Sequence, residues 1–189
     1  MTTEILTEKQ MTAAAQVIHA GGVVAIRTET VWGLATNLQN QNKIFAAKNR
    51  PIDKKVPVQF DSLKSALKHY DITPTEQKFF KRFKKGLTVV LQNDVAVRIP
   101  ADPVTKKLIK ACGVPLAVTS ANISAQEPAK TWQEVEKTLG GRIEAIVMSR
   151  PCQLGTPSTI IKINNGKLDI LRQGVIPAKV LVDFFGKTC

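Results

Sequence analysis

The chain has 189 residues, 43% of them hydrophobic, with 27 lysines and arginines against 15 aspartates and glutamates, a net charge of +12. This length supports one domain over 1–189 with a sizeable core, and the charge favours polyanionic partners, nucleotides or RNA, without separating an enzyme from a passive binder. The cysteines (Cys112, Cys152 and Cys189) form no CxxC, His19 and His69 lie far apart, and no run approaches 18 apolar residues; these features argue against a protein-held metal and against a membrane span, and predict a soluble cytoplasmic protein.

In chain order, Met11, Ala14, Ala15, Val17 and Ile18 recur at three- and four-residue spacing behind Thr7, which predicts a helix over 8–20 ended by Gly21-Gly22. The apolar run 22–26 reads as a buried strand that empties into Thr28-Glu29-Thr30, and 41–48 as a short helix ending at Lys48. A strand at 56–60 with Pro57 near its start and a helix at 62–69 follow. Thr73-Pro74-Thr75-Glu76 is a capping box with proline at the first helical position. Strands at 87–91 and 95–98 are joined tightly enough for a hairpin, and Asp102-Pro103 opens a helix that stops at Gly113. A strand over 114–119 leads into Ser120-Ala121-Asn122. Thr131 and Glu134 open a helix closed by Gly140-Gly141, strands follow at 143–148, 158–163 and 167–171, and a helix spans 177–185. Asn164-Asn165-Gly166 predicts a hairpin turn between the last two strands. Helices and strands interleave but hairpins interrupt them, so the expected fold is α/β with a twisted, mixed parallel and antiparallel sheet flanked by helices.

The chemistry concentrates between Thr28 and Pro57. A strand ending in a Thr-Glu-Thr turn delivers hydroxyls to a sheet edge. Lys48, Arg50, Lys54 and Lys55 then fall within eight residues, and Pro51 and Pro57 keep that segment out of a helix. Cations on a stiffened loop suit a polyphosphate or a phosphate backbone, although the same segment would also serve as a solvated basic loop. GxxxxGK[ST], GxGxxG and a nucleophile elbow are all missing, so chemistry here must rest on positioning and charge rather than on a covalent intermediate.

Thr28-Glu29-Thr30-Val31-Trp32-Gly33-Leu34 with Lys48-Asn49-Arg50-Pro51, then Ser120-Ala121-Asn122, Ser158-Thr159-Ile160-Ile161 and Leu171-Arg172, resembles the YrdC-like family of threonylcarbamoyl-adenylate synthases over nearly the whole chain and in the family's order. The resemblance implies the YrdC-like fold with a basic concave face. It also implies a nucleotidyltransferase that condenses L-threonine, bicarbonate or CO2, and ATP with Mg²⁺ into threonylcarbamoyl-AMP and pyrophosphate. The product would pass to threonylcarbamoyl-transferase machinery that modifies adenosine 37 of tRNA. Carried over by position, Lys48, Arg50, Ser120 and Asn122 match the catalytic set. ATP would meet these four together with Lys54 and Arg172, and threonine would meet Thr30, Gln59, Arg98 and Ser158, with Arg98 pairing to its carboxylate. No residue is assigned to hold a metal.

Several residues have plainer readings. Thr30 could cap a turn, Arg98 could be a strand-end charge, Ser120-Ala121-Asn122 is common at strand-to-loop junctions, and Glu29 could be a general base, a cap or a lysine partner. Arg27 stands where the family carries proline, which would add a charge near the site. Gln59 replaces a histidine or another polar residue, and the link before Val95 is shorter than usual. An RNA- or ribosome-binding protein using the basic concave face, with tRNA or double-stranded RNA as ligand, is the competing class. A carbamoyl-transfer domain of the hydrogenase-maturation type ranks behind it.

Overall fold

The computed structural model describes residues 2–52 and 55–188, so the expectation placed on Lys54 lies outside the described residues. Among the described residues no helix is long and apolar enough to cross a membrane. The first elements are β1 (Glu4–Thr7), α1 (Met11–His19), β2 (Val24–Ile26) and β3 (Gly33–Asn37). The sequence pattern had predicted neither β1 nor β3: β1 is a short, half-exposed edge strand, and the small residues of β3 carry no β-branched run. α1 starts later than its periodicity suggested because Thr7 belongs to β1, where its hydroxyl and amide both meet Gln10 Oε1 at 2.9 Å.

The middle of the chain runs α2 (Gln41–Lys48), β4 (Val58–Gln59), α3 (Leu63–Ala66), α4 (Pro74–Arg82), β5 (Leu87–Val90), β6 (Ala96–Arg98), α5 (Pro103–Cys112) and β7 (Leu116–Ser120). Both bonds of the capping box at Thr73 and Glu76 are present, Asp102 caps α5, and Gly113 ends that helix at φ 67°. The remainder is α6 (Trp132–Leu139), β8 (Ala145–Met148), β9 (Thr159–Asn164), β10 (Lys167–Arg172) and α7 (Ala178–Gly186). The turn between β9 and β10 carries Asn165 and Gly166 at φ 48° and 70°, the left-handed pair that a tight hairpin demands.

The strands form one ten-stranded sheet in the order β1-β8-β2-β3-β7-β4-β6-β5-β9-β10. Parallel pairing joins β1 to β8, β8 to β2, β4 to β6 and β5 to β9, while the other neighbours run antiparallel. The mixed sheet predicted from hairpins interrupting the helix–strand alternation is therefore the observed one.

Coverage of the two halves of this sheet differs, and that difference positions the site. In β2, Val24 and Ile26 pack with Met11 and Ile18 of α1 and Leu108 of α5, while Ala25 and the preceding Val23 pack on the opposite face with Ile44 of α2 and Leu139 of α6. A strand buried on both faces reads as a continuous apolar run. In the other half, Leu87 and Val89 of β5, Val97 of β6 and Ile161 of β9 face Phe79 and Phe80 of α4 and Leu181 of α7. The alternate residues of those strands, Thr88, Val90, Ala96, Arg98 and Ile160, face a cavity instead. Period-two alternation thus sorts one strand set into a core face and a ligand-accessible face.

Candidate active site

The cavity has a volume of about 440 Å³ and lies over β7, β4, β6, β5, β9 and β10 at the open end of the Thr-Glu-Thr turn. Its polar wall follows the strand register: Gln59 pairs with Arg98, Arg98 with Thr88, and Ser158 stands just before Thr159 at the start of β9. Thr28, Gln59, Arg98, Ser120, Ser158, Arg50 and Arg172 all line the cavity.

Arg98 is held from behind. One guanidinium nitrogen, Nη2, donates to Glu29 Oε1 and to Thr30 Oγ1, both at 2.7 Å, while Nε is buried without a partner. Glu29 is spent on structure: Oε1 also accepts from the Gly86 amide at 3.3 Å, and Oε2 from Ala101 and Asp102 at 3.2 and 3.4 Å. Burial alone would raise its pKa, but the charge and hydrogen bond of Arg98 and the amides of Glu29 and Gly86 outweigh it and hold the carboxyl below its ordinary range. Its cationic partner is Arg98 rather than a lysine, and it also accepts from three backbone amides, so Glu29 pairs and caps at once. A carboxylate with this pKa and these partners is a poor general base at neutral pH.

Arg172 donates through Nε and Nη2 to the Ser158 carbonyl at 3.2 and 2.7 Å, and through Nη2 to Ser158 Oγ at 3.2 Å. Ser158 Oγ also lies 2.9 Å from Thr88 Oγ1. Burial, with the nearby charges of Arg98 and Arg50, lowers the pKa of Arg172. Three guanidinium groups therefore share one cavity closely enough to sense one another, which creates a field that favours an anion. Gln59 is 2% exposed, and its Oε1 is a buried acceptor without a donor.

Other expected site residues lie one layer behind this wall. Lys48 is 1% exposed, and its Nζ donates to the Ser120 carbonyl, to the Asn122 carbonyl at 2.8 Å and to Asn122 Oδ1 at 2.9 Å. The Asn122 amide nitrogen in turn donates to the carbonyls of Ile123 and Gln126 at 2.8 and 2.7 Å. Burial first, and then the charge of Arg50, push the Lys48 pKa down to about 7. Lys48 and Asn122 together brace the end of β7 and the loop that follows it, and Ser120, the last residue of β7, lines the cavity. Thr30 is fully buried and supports Arg98, whereas Thr28 is the lining hydroxyl. Arg50 reaches the cavity with Nη1 at 3.3 Å from Thr119 Oγ1 and Nη2 at 2.9 Å from the Lys55 carbonyl.

Arg27 adds no free charge to the cavity. Its Nε sits 3.0 Å from Asp102 Oδ2, with the two side chains 2% and 1% exposed, so the pair neutralises itself inside the fold. Sequence reasoning missed Thr88, Asp94 and Leu171 as lining residues. The position of Thr88, two residues before Val90 on a strand predicted to be apolar, was the available signal. Burial raises the described thiols, Cys112 and Cys152, to about 11, so neither is a ready nucleophile.

A family model described as telomere recombination, covering the Sua5, YciO and YrdC proteins, matches residues 16–174. The chain belongs to this family. The threonylcarbamoyl-AMP synthase of Pyrococcus abyssi is 32% identical over 97% of this chain and 59% of its own length. That of Bacillus subtilis is 32% identical over 93% of this chain and 57% of its own length. The chain thus spans somewhat over half of these two family members. The crystal structure of P. abyssi Sua5 complexed with L-threonine superposes with a TM-score of 0.89 at 29% identity, over 98% of this chain and 61% of that one.

Proposed function

We propose that the chain is a nucleotidyltransferase that condenses L-threonine, bicarbonate or CO2, and ATP into L-threonylcarbamoyl-AMP and pyrophosphate, supplying a transferase that modifies adenosine 37 of tRNA. The observation that carries this reading is the single cavity in which Arg98, Gln59 and Ser158 form one end and Arg50 with Lys55 another. An amino-acid end and a polyphosphate end within one cavity are what the reaction requires. The names of the two synthases, and the threonine bound to the P. abyssi protein, support the same substrates.

In this reading the threonine amine and bicarbonate give a carbamate with loss of water (with CO2, loss of a proton), a carbamate oxygen attacks the α-phosphorus, and the bond to the bridging oxygen breaks as pyrophosphate leaves. No side chain need form a covalent bond; positioning and charge stabilisation suffice. Arg98 takes the threonine carboxylate with the part of its guanidinium that lines the cavity. Gln59 Oε1 accepts an N–H or O–H of the amino acid. Arg50 and Arg172 neutralise phosphate oxygens, and Ser120 contributes a hydroxyl from the end of β7, which Lys48 and Asn122 keep in place. Among the described residues no three His, Cys, Asp or Glu side chains are grouped to hold a metal. In this reading Mg²⁺ would arrive on the phosphate oxygens of ATP, where it would offset their charge.

The test is pyrophosphate release from Mg·ATP with threonine and bicarbonate supplied together or separately. Release that needs both is the expected result. Turnover indifferent to threonine, or none with folded protein, would overturn the proposal.

A further inference from the structure

On β9 the residues facing the cavity side continue past Ser158 and Ile160 to Lys162, because side chains alternate along a strand. The four-residue step from Ser158 to Lys162 spans about 13 Å, longer than an amino acid and within the reach of a nucleoside triphosphate. At that far end the short hairpin between β5 and β6 turns through Asp94. Its backbone is left-handed at φ 63°, and its amide donates to the Leu91 carbonyl at 2.9 Å.

This turn aims a carboxylate between two ammonium groups. Asp94 Oδ1 is 2.6 Å from Lys162 Nζ and Oδ2 is 3.8 Å from Lys55 Nζ, while Lys55 Nζ also donates to the Asp94 carbonyl at 3.2 Å. Lys55 is tied to the polyphosphate side of the cavity, since Arg50 holds its carbonyl. Asp94 and Lys55 both line the cavity, so the cluster forms part of its mouth. The hydrogen bond and charge of Lys162, then the charge of Lys55, lower the Asp94 pKa, which keeps the carboxylate ionised at neutral pH.

We propose that Lys55 and Lys162 form an anion subsite for the distal phosphates of the nucleotide, and that the Asp94 carboxylate occupies this subsite until a polyphosphate displaces it. Asp94 is a stand-in anion: one negative charge between two positive ones leaves a net positive charge that a polyphosphate satisfies better. The exchange is easy because the Asp94 and Lys55 side chains are 55% and 66% exposed, and ion pairs that exposed are weak and screened by salt. The subsite also gives the shortened β5–β6 link a role, since a short turn brings its carboxylate within reach of the cavity mouth. The proposal rests on the polyphosphate reading of this end of the cavity.

The experiment is calorimetric titration of the whole protein with inorganic tripolyphosphate, comparing wild type, Asp94→Asn, Lys162→Gln and the double variant. Asp94→Asn is expected to bind about three- to ten-fold more tightly and Lys162→Gln weaker by a similar factor. In the double variant the gain from Asp94→Asn should shrink, the sign of direct coupling. Equal affinity in wild type and Asp94→Asn, an unaffected Lys162→Gln, or no binding by any of the four proteins would overturn the subsite. Threonine-dependent pyrophosphate release is measured alongside. If release is absent while Asp94→Asn still tightens tripolyphosphate binding, the subsite stands and the proposed reaction falls. Release with no effect of Asp94→Asn on binding does the reverse.

Discussion

Glu29→Gln is the substitution whose consequences the structure specifies most fully. Glu29 is 1% exposed and Arg98 is 7% exposed, and the carboxylate also caps three backbone amides. Removing one partner of a buried ion pair costs about 3–5 kcal/mol because the other charge stays buried. Glutamine preserves the volume and one acceptor, which favours the lower figure. For a chain of this size each kcal/mol lowers Tm by about 2–4 °C, so a loss of about 6–12 °C at pH 7 is expected by scanning calorimetry. The pH dependence is more specific. The folded-state pKa of Glu29 is depressed below 4.5, so the pair's contribution is complete above the unfolded value and is lost as pH falls through the folded one. The gap in Tm between wild type and Glu29→Gln should therefore be wide at pH 7 and close in acid. A gap under about 2 °C at pH 7, or one unchanged down to pH 3, would refute the reasoning.

Three further outcomes follow from the same geometry. Arg98→Lys keeps the charge but loses the planar fork, so the KM for threonine should rise about ten- to a hundred-fold in steady-state assays while tripolyphosphate affinity is unchanged. Lys48→Met should change the slope of stability with pH. Because the Lys48 pKa falls from 10.5 to about 7 on folding, the unfolded chain binds the extra proton between those values. The contribution of Lys48 to stability therefore rises with pH across that window, and urea melts of the variant should lack this rise. Gly174→Ala would put a Cβ 2.2 Å from the Pro157 carbonyl oxygen and 2.5 Å from the Ser158 carbonyl carbon. The backbone beside Ser158 must then shift, and a loss of at least about ten-fold in threonine-dependent turnover is expected, since misplacement of a binding group by about 1 Å is costly.

Local chemistry was legible where it repeats in local structure. The Thr73–Glu76 capping box, the Asp102 cap with Gly113 at the far end of α5, and the Asn165-Gly166 turn are each decided within a few residues. β1 and β3 were not legible, because what makes them strands is their partners: β3 is clasped between β2 and β7, and β1 lies along β8. The motif residues were found at the level of position, and their depth was not. Sequence cannot show that Lys48 points back into the loop it braces while Arg50, two residues on, reaches the cavity. Nor can it show that the Arg27 charge is consumed by Asp102, which lies 75 residues away along the chain.

The two buried ion pairs are connected, and their connection bears on what they are for. Asp102 pairs with Arg27 and caps α5, its own amide donates to Glu29, and Glu29 in turn holds Arg98. Buried pairs of this kind contribute little net stability compared with apolar residues of the same size. What they do contribute is geometry: the Thr-Glu-Thr turn, the start of α5 and the end of β6 are locked to one another through charged hydrogen bonds. Arg98 alone in that chain lines the cavity. Its guanidinium is therefore oriented before any ligand arrives, and an anion that binds there need not reorganise the site. Catalysis that depends on position and field rather than on a nucleophile requires that kind of preorganisation.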